Sequence, residues 1–405
     1  MAETRIPRRS QVRLGMVDGD LRAEEDVRIE GTPKVTVSGE ARFQGSTVVT
    51  GGLECGRFRS EEGAVHIAGD LLVHEDLEAH DSKLEIEGAL KARRVDVDRS
   101  LRVGGPAEAE KFEVGGVLDG AQTLTARSVS VGGKFRLAGQ LTADSVEAGG
   151  TADLGDVALD TLEVGGAIHM GGGEVRRSIE VGGRFLSGRA LRFGSLEVGG
   201  VAEFKDDGHG GSVEIGGILS ASKDLAFDDL EIGGLGRIAG NGTGKSVEVG
   251  GKFDVKGALT LTGRLEVGGA VSVGEALQAE SLEIGGKLDA RRAVFARSAE
   301  VGGQVNTREG LKAQRILLER KSRAYGPLVG ETVEIRRGAR VEDVFGREIE
   351  LDDRAEARRI FGAVVRLRDG AHADEITYTG SVEIASGASV GRPPQKVESL
   401  PPFPL

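Results

Sequence analysis

The stretch "AGNGTGKS" at residues 239–246 has the residue types and spacing of a phosphate-binding loop: a small residue, four of any kind, then Gly-Lys-Ser. In such a loop backbone N–H groups cradle phosphate oxygens, the lysine reaches the outer phosphates and the hydroxyl serves a magnesium ion. Lys245 and Ser246 would take those roles. The chemistry needs a strand before the loop and a helix N-terminus after it. After Ser246 the chain reads "VEVGGKFDV", an apolar-x-apolar pair, two glycines and a second pair. Gly250 and Gly251 would break a helix where it has to begin. The local pattern therefore predicts strand, corner, strand, with Lys245 and Ser246 as corner residues that bind no nucleotide.

Other reactive side chains are scattered. The six histidines (66, 74, 80, 169, 209 and 372) share no common column, and Cys55 stands alone. Asp206-Asp207-Gly208-His209 reads as a polar corner with little metal-binding character. No Ser-His-Asp arrangement, cysteine cluster or calcium-loop pattern appears. The expectation is no catalytic residue, no cofactor and no metal.

The elements that carry these residues follow from a repeat. "LEVGG", "VEVGG" and "LEIGG" recur, and Leu196, Val213, Leu230 and Val247 lie 17 residues apart. The series runs back through Ile179, Leu162, Val146, Val129 and Phe112. It runs forward through Leu265, Leu282, Ala299 and Ile316. Each repeat holds three apolar-x-apolar pairs, such as Val213/Ile215, Leu219/Ala221 and Leu225/Phe227. Alternation of period two marks strands with both apolar side chains on one face. Three short strands per turn, with two or three residues between them, predict a single-stranded parallel β-helix, an all-β solenoid of triangular section. Each strand would pair with its equivalent one turn away, about 4.8 Å along the axis. Gly-Gly is read as a tight corner taken at positive φ.

Further pairs, from Val12/Leu14 to Ala388/Val390, extend the rod over residues 12–390, about 22 turns and roughly 105 Å at that spacing. Residues 112–318 are the regular Gly-Gly repeats, residues 1–11 an N-terminal tail and 391–405 a Pro-rich tail unable to form strand or helix. With only 4% aromatic residues and no Trp, aliphatic side chains have to fill most of the core. Gly208, Gly210, Gly242 and Gly244 fall on inward positions, which leaves either gaps filled by neighbours or a bend or access point. Glu174 and Arg176 sit on the register there, or shift it locally.

Two outward features stand out. The residue between the first apolar pair is Glu in almost every repeat from Glu113 to Glu300, Ser130 excepted. Glu180, Glu197, Glu214, Glu231 and Glu248 form the middle of this acidic stripe, with carboxylates about 5 Å apart. It reads either as a solvated face or as a docking stripe for a basic partner or cations. Val201, Ile218 and Leu235 come directly after Gly-Gly in three successive turns and predict an exposed apolar strip for lateral contact.

The segments "VEIRRGARVEDVFG" at 333–346 and "ITYTGSVEIASGASVG" at 376–391 carry the form V-x-I-x-x-G-A-x-V. Over about 60 residues (333–390) the chain resembles the bactofilins, polymer-forming bacterial cytoskeletal proteins. The rest shares the coil but is longer than a bactofilin core and adds the Gly-Gly repeats. The resemblance implies a right-handed β-helix and end-to-end, nucleotide-independent polymerisation. Solenoid ends carry unpaired strand edges that recruit other strands unless blocked. Val12 and Leu14 at one end, and Ile384, Ala388 and Val390 at the other, are the expected end contacts, with Leu400, Phe403 and Leu405 as a cap if they fold back.

The expected function is a structural, non-enzymatic rod that assembles with itself into filaments or a scaffold. One alternative is a hexapeptide-repeat transferase, which prefers an 18-residue turn and a placed histidine base. Another is an acidic rod that mimics nucleic acid toward a basic partner. The formal net charge of −12 argues against binding nucleic acid itself. No apolar stretch opens the chain and no run approaches a membrane span, so a cytoplasmic location is expected. Arg5, Arg8 and Arg9 offer the N-terminal tail a contact with a membrane surface.

Overall fold

The computed structural model describes residues 2–402, and every regular element among them is a β-strand. The chain divides into two compact units, Met1–Gly200 and Val201–Leu405. Each is a parallel β-solenoid with three faces, and the turns number about 23 in all, some 17 residues each.

In the first unit the Gly-Gly strand stacks Phe112 on Val129, Val146, Leu162 and Ile179 in turn. In the second unit Val213 stacks on Leu230, Val247, Leu265 and Leu282, and the same face runs on through Ile316, Val333, Ile349 and Val365 to Val382. The one-residue deviations at Val146–Leu162 and Val247–Leu265 are kept in these registers. The second face begins at the glycine corner and pairs, for example, Phe253 with Val271. The third is made of short strands such as Leu141–Thr142.

The inward pairs form the core in both units. Phe43, Phe58, Phe112, Phe135, Phe185, Phe204 and Phe253 are fully buried in it, more aromatic bulk than composition suggested. Each such side chain contributes on the order of 1.5–3 kcal/mol by leaving water. In the irregular early turns, polar groups share the interior: the Ser60 and Ser82 hydroxyls lie 2.7 Å apart, fully buried.

Three expectations need correction. Residues 1–11 are not a free tail: Glu3–Ile6 pairs in parallel with Asp20–Ala23, so the coil begins before Val12. The Pro-rich tail does form a strand, since Gln395–Lys396 pairs with Thr377–Tyr378. The third concerns the paired glycines. Gly133, Gly150, Gly183 and Gly303 do not take positive φ. A Cβ at Gly303 would lie 1.8 Å from the Gly286 carbonyl oxygen, and one at Gly183 would lie 2.4 Å from that of Gly166. Glycine is required because successive turns meet backbone to backbone at this corner, with no room for a side chain.

The glycines on inward positions are covered by their neighbours. A Cβ at Gly208 would meet Leu225 Cδ1 at 2.6 Å, one at Gly242 would meet Leu259 Cδ1 at 2.9 Å, and one at Gly244 would meet Phe227 Cε2 at 2.2 Å. At Gly208, Gly242 and Gly244 large side chains from adjacent turns therefore occupy the space. The register shifts only between Val175 and Ser178; Val175 is buried, and Glu174 and Arg176 face outward.

Candidate assembly interface

The phosphate-loop pattern lies on strands. Gly242–Gly244 and Ser246–Val249 flank Lys245, whose backbone N–H donates to the Asp228 carbonyl at 2.8 Å. The Ser246 hydroxyl donates to the Asp229 carboxylate one turn away. Among the described residues no helix N-terminus faces Lys245.

Five of the six histidines contact groups on a neighbouring turn. His66 lies 3.5 Å from Glu85 and 3.2 Å from Glu87, His74 lies 3.1 Å from Glu54, and His80 lies 3.5 Å from Asp98. His169 contacts Asp153 at 3.2 Å, and His372 contacts Asp374 at 3.1 Å and the Ser389 hydroxyl at 2.8 Å. Cys55 is inward and fully buried, and burial pushes its thiol up to about 12, which leaves it uncharged and unreactive. Asp206 of the polar corner is held below the usual carboxylate range by hydrogen bonds from Lys223 and the Asp207 N–H. Among the described residues no group of three or more His, Cys, Asp or Glu is arranged to hold a metal ion.

The acidic stripe is a stack of aligned carboxylates in both units. Glu147, Glu163 and Glu180 align in the first, and Glu214, Glu231, Glu248, Glu266, Glu283 and Glu300 in the second. Lys111 lies 2.7 Å from Glu113 and Arg264 lies 3.0 Å from Glu266. Among the described residues Glu147, Glu163, Glu180, Glu197, Glu214, Glu231 and Glu248 make no ion pair, and all are exposed. The column continues back to Asp96, whose carboxyl is raised by burial and then by Glu113 and Asp98.

The apolar strip is also present. Val201, Ile218 and Leu235 are in register on consecutive turns, with Lys252 on the next. Ile218 is 44% exposed and Leu235 51%, whereas Val201 is half-buried.

Among the described residues the last full turn of the second unit is incompletely covered. Val382 and Ile384 stack on Val365 and Leu367, which are 0% and 2% exposed. Ile384 nevertheless is 41% exposed and Val382 half-buried. Val390 pairs with Ala373, and Ala388 is half-buried where Ala371 is fully buried. Among the described residues no strand lies on the outer edge of 381–384. Leu400 is half-buried and leaves Ile384 uncovered, while Phe403 and Leu405 lie outside the described residues. At the other end Glu3–Ile6, Gln11–Arg13 and Met16–Val17 each pair on one side only. Val12 and Leu14 are half-buried there, and Met16 is 79% exposed. Sequence reasoning missed Ile6 because Thr4-x-Ile6 gives only half of an apolar pair.

Just inside the C-terminal end the turns are clamped together. Asp343, 8% exposed, accepts hydrogen bonds from Arg358 at 2.9 Å and Arg359 at 2.9 Å. Burial pushes its carboxyl up, but the Arg359 and Arg358 bonds outweigh this and hold it below the usual range. Arg359 lies 5.9 Å from the centre of the Phe361 ring, which stacks on Phe345 at 4.6 Å.

Among the described residues no helix is long and apolar enough to cross a membrane. No family model, curated protein or solved structure matches this chain.

Proposed function

We propose that the chain is a structural, non-enzymatic β-solenoid that assembles end to end, without nucleotide, into filaments or a scaffold. The observation that carries this reading is the exposed Ile384 beside half-buried Val382 and, among the described residues, the unpaired outer strand edge at 381–384, against the one-sided strand Glu3–Ile6 at the other end. An edge strand with unpaired N–H and C=O groups is a template for another strand. Turn stacking inside the chain is parallel throughout, and a second copy extends it by the same rule. Its Glu3–Ile6 pairs with Ser381–Ile384, which sets Thr4 over Val382 and Ile6 over Ile384. The same register brings Arg5 beside Glu383, an opposite-charge pair across the junction. The resemblance of 333–390 to bactofilins points to the same behaviour. Negative-stain microscopy of the purified protein, with and without ATP or GTP, tests the proposal. Filaments independent of nucleotide are expected. Single coils at all concentrations would refute it.

A further inference from the structure

A groove of about 1090 Å³ runs along the second face of the second unit. Its floor is the outward ladder Arg237, Asp254, Ser272, Asp289, Asn306 and Tyr325. The corner residues Lys256, Arg291 and Arg308 form its rim. Asp254 and Asp289 are neutralised from the opposite side, by Lys252 at 3.0 Å and Lys287 at 2.7 Å. Arg237, Lys256, Arg291 and Arg308 are exposed and, among the described residues, make no ion pair. Four uncompensated cations therefore line one groove of a chain whose formal net charge is −12. They are placed by the coil: Arg291 and Arg308 lie one turn apart, Lys256 and Arg291 two turns apart, with Gly274 between them.

The complement of this pattern lies on the same chain. In the first unit Glu147, Glu163 and Glu180 line a shallow channel of about 580 Å³. Its shoulder is built of Ser145, Thr161 and Ser178, which leave room beside the carboxylates for a long side chain. Arg291 and Arg308 lie one turn apart, as do the successive carboxylates, about 4.8 Å along the axis. Two coils laid side by side therefore bring the two sets together turn after turn, without a mismatch that grows along the contact. We infer that the occupant of the basic groove is a second copy of this chain. The guanidinium groups of Arg291 and Arg308 enter the channel beside Glu147, Glu163 and Glu180 of the neighbour. This pairing is lateral and does not depend on end-to-end assembly.

The test uses the full chain carrying Ile384→Lys and Val390→Lys, so that end contacts do not contribute. Sedimentation velocity at about 20 mM and about 500 mM salt reads the lateral contact, because screening at high salt removes it. Dimers at low salt that dissociate at high salt are expected. Arg291→Glu/Arg308→Glu should abolish them, as should Glu163→Arg/Glu180→Arg, and an equimolar mixture of the two variants should restore them. Circular dichroism confirms that each variant keeps its β-structure. A sedimentation profile unchanged by salt, or a mixture that fails to re-form dimers, overturns the inference. So does binding of heparin, used as a foreign polyanion, to chains that never pair with one another. If the end substitutions fail to block elongation, filament width by negative stain reads the same contact. Width unaffected by either pair of substitutions then counts against it.

Discussion

Ile384→Lys with Val390→Lys places two ammonium groups at the C-terminal end of the coil. Full burial of an isoleucine side chain stabilises by roughly 1.5–3 kcal/mol. Ile384 retains 41% of its exposure, so covering it yields about 0.6–1.2 kcal/mol to the junction. The substitution forfeits that gain and asks the junction to desolvate an ammonium with no partner, costing at least about 1 kcal/mol more. A loss near 2 kcal/mol corresponds to a rise of about 30-fold in the critical concentration for elongation. Val390→Lys on the adjoining face adds to it. The fold itself should change little, because both side chains are already partly in water. Sedimentation of polymer across a concentration series measures the critical concentration, and circular dichroism and thermal melting check the fold. Wild-type critical concentration and filament length from a folded double variant would refute the end-to-end geometry.

Three further outcomes rest on particular contacts. Gly251→Ala should cost about 1–3 kcal/mol, because its Cβ would lie 2.0 Å from the Gly234 carbonyl oxygen. Gly250→Ala, with its nearest such oxygen at 3.7 Å, should be nearly neutral; equal melting temperatures for the two would contradict the inter-turn account. Asp343 is depressed in the folded protein, so its contribution is present above the unfolded value near 3.9 and is lost as pH falls through the lower folded value. Denaturant titrations should therefore show Asp343→Asn about 1–3 kcal/mol less stable than wild type at pH 7, with the difference narrowing below pH ~4; a constant difference would argue against the ion pair. Ile218→Lys should narrow or disperse filament bundles by interrupting the apolar strip of Val201, Ile218 and Leu235; unchanged bundle width by negative stain would exclude that strip as a contact.

The repeat fixes most of the fold because a solenoid is quasi-one-dimensional. Inward pairs such as Val213/Ile215 and Leu230/Ile232 are set by alternation within a strand, and strand pairing by a constant period. Both are properties of neighbouring residues, so the chain alone determines the three faces, the acidic stripe and the exposure of Ile218 and Leu235. Lys245 could be discounted for the same reason, since the glycines after it belong to the period. The period weakens toward both ends, and there only the tertiary structure decided. Glu3–Ile6 joins the coil through Asp20–Ala23, a pairing hidden by the half-polar Thr4/Ile6 pattern and by longer early turns. The reason for the paired glycines was likewise out of reach, because it lies in the carbonyl of the turn beneath and not in local φ. Which charges stay unpaired is decided by side-chain placement on the folded strand: Asp254 and Asp289 pair with Lys252 and Lys287 two residues before them, and Lys256, Arg291 and Arg308 make no ion pair among the described residues.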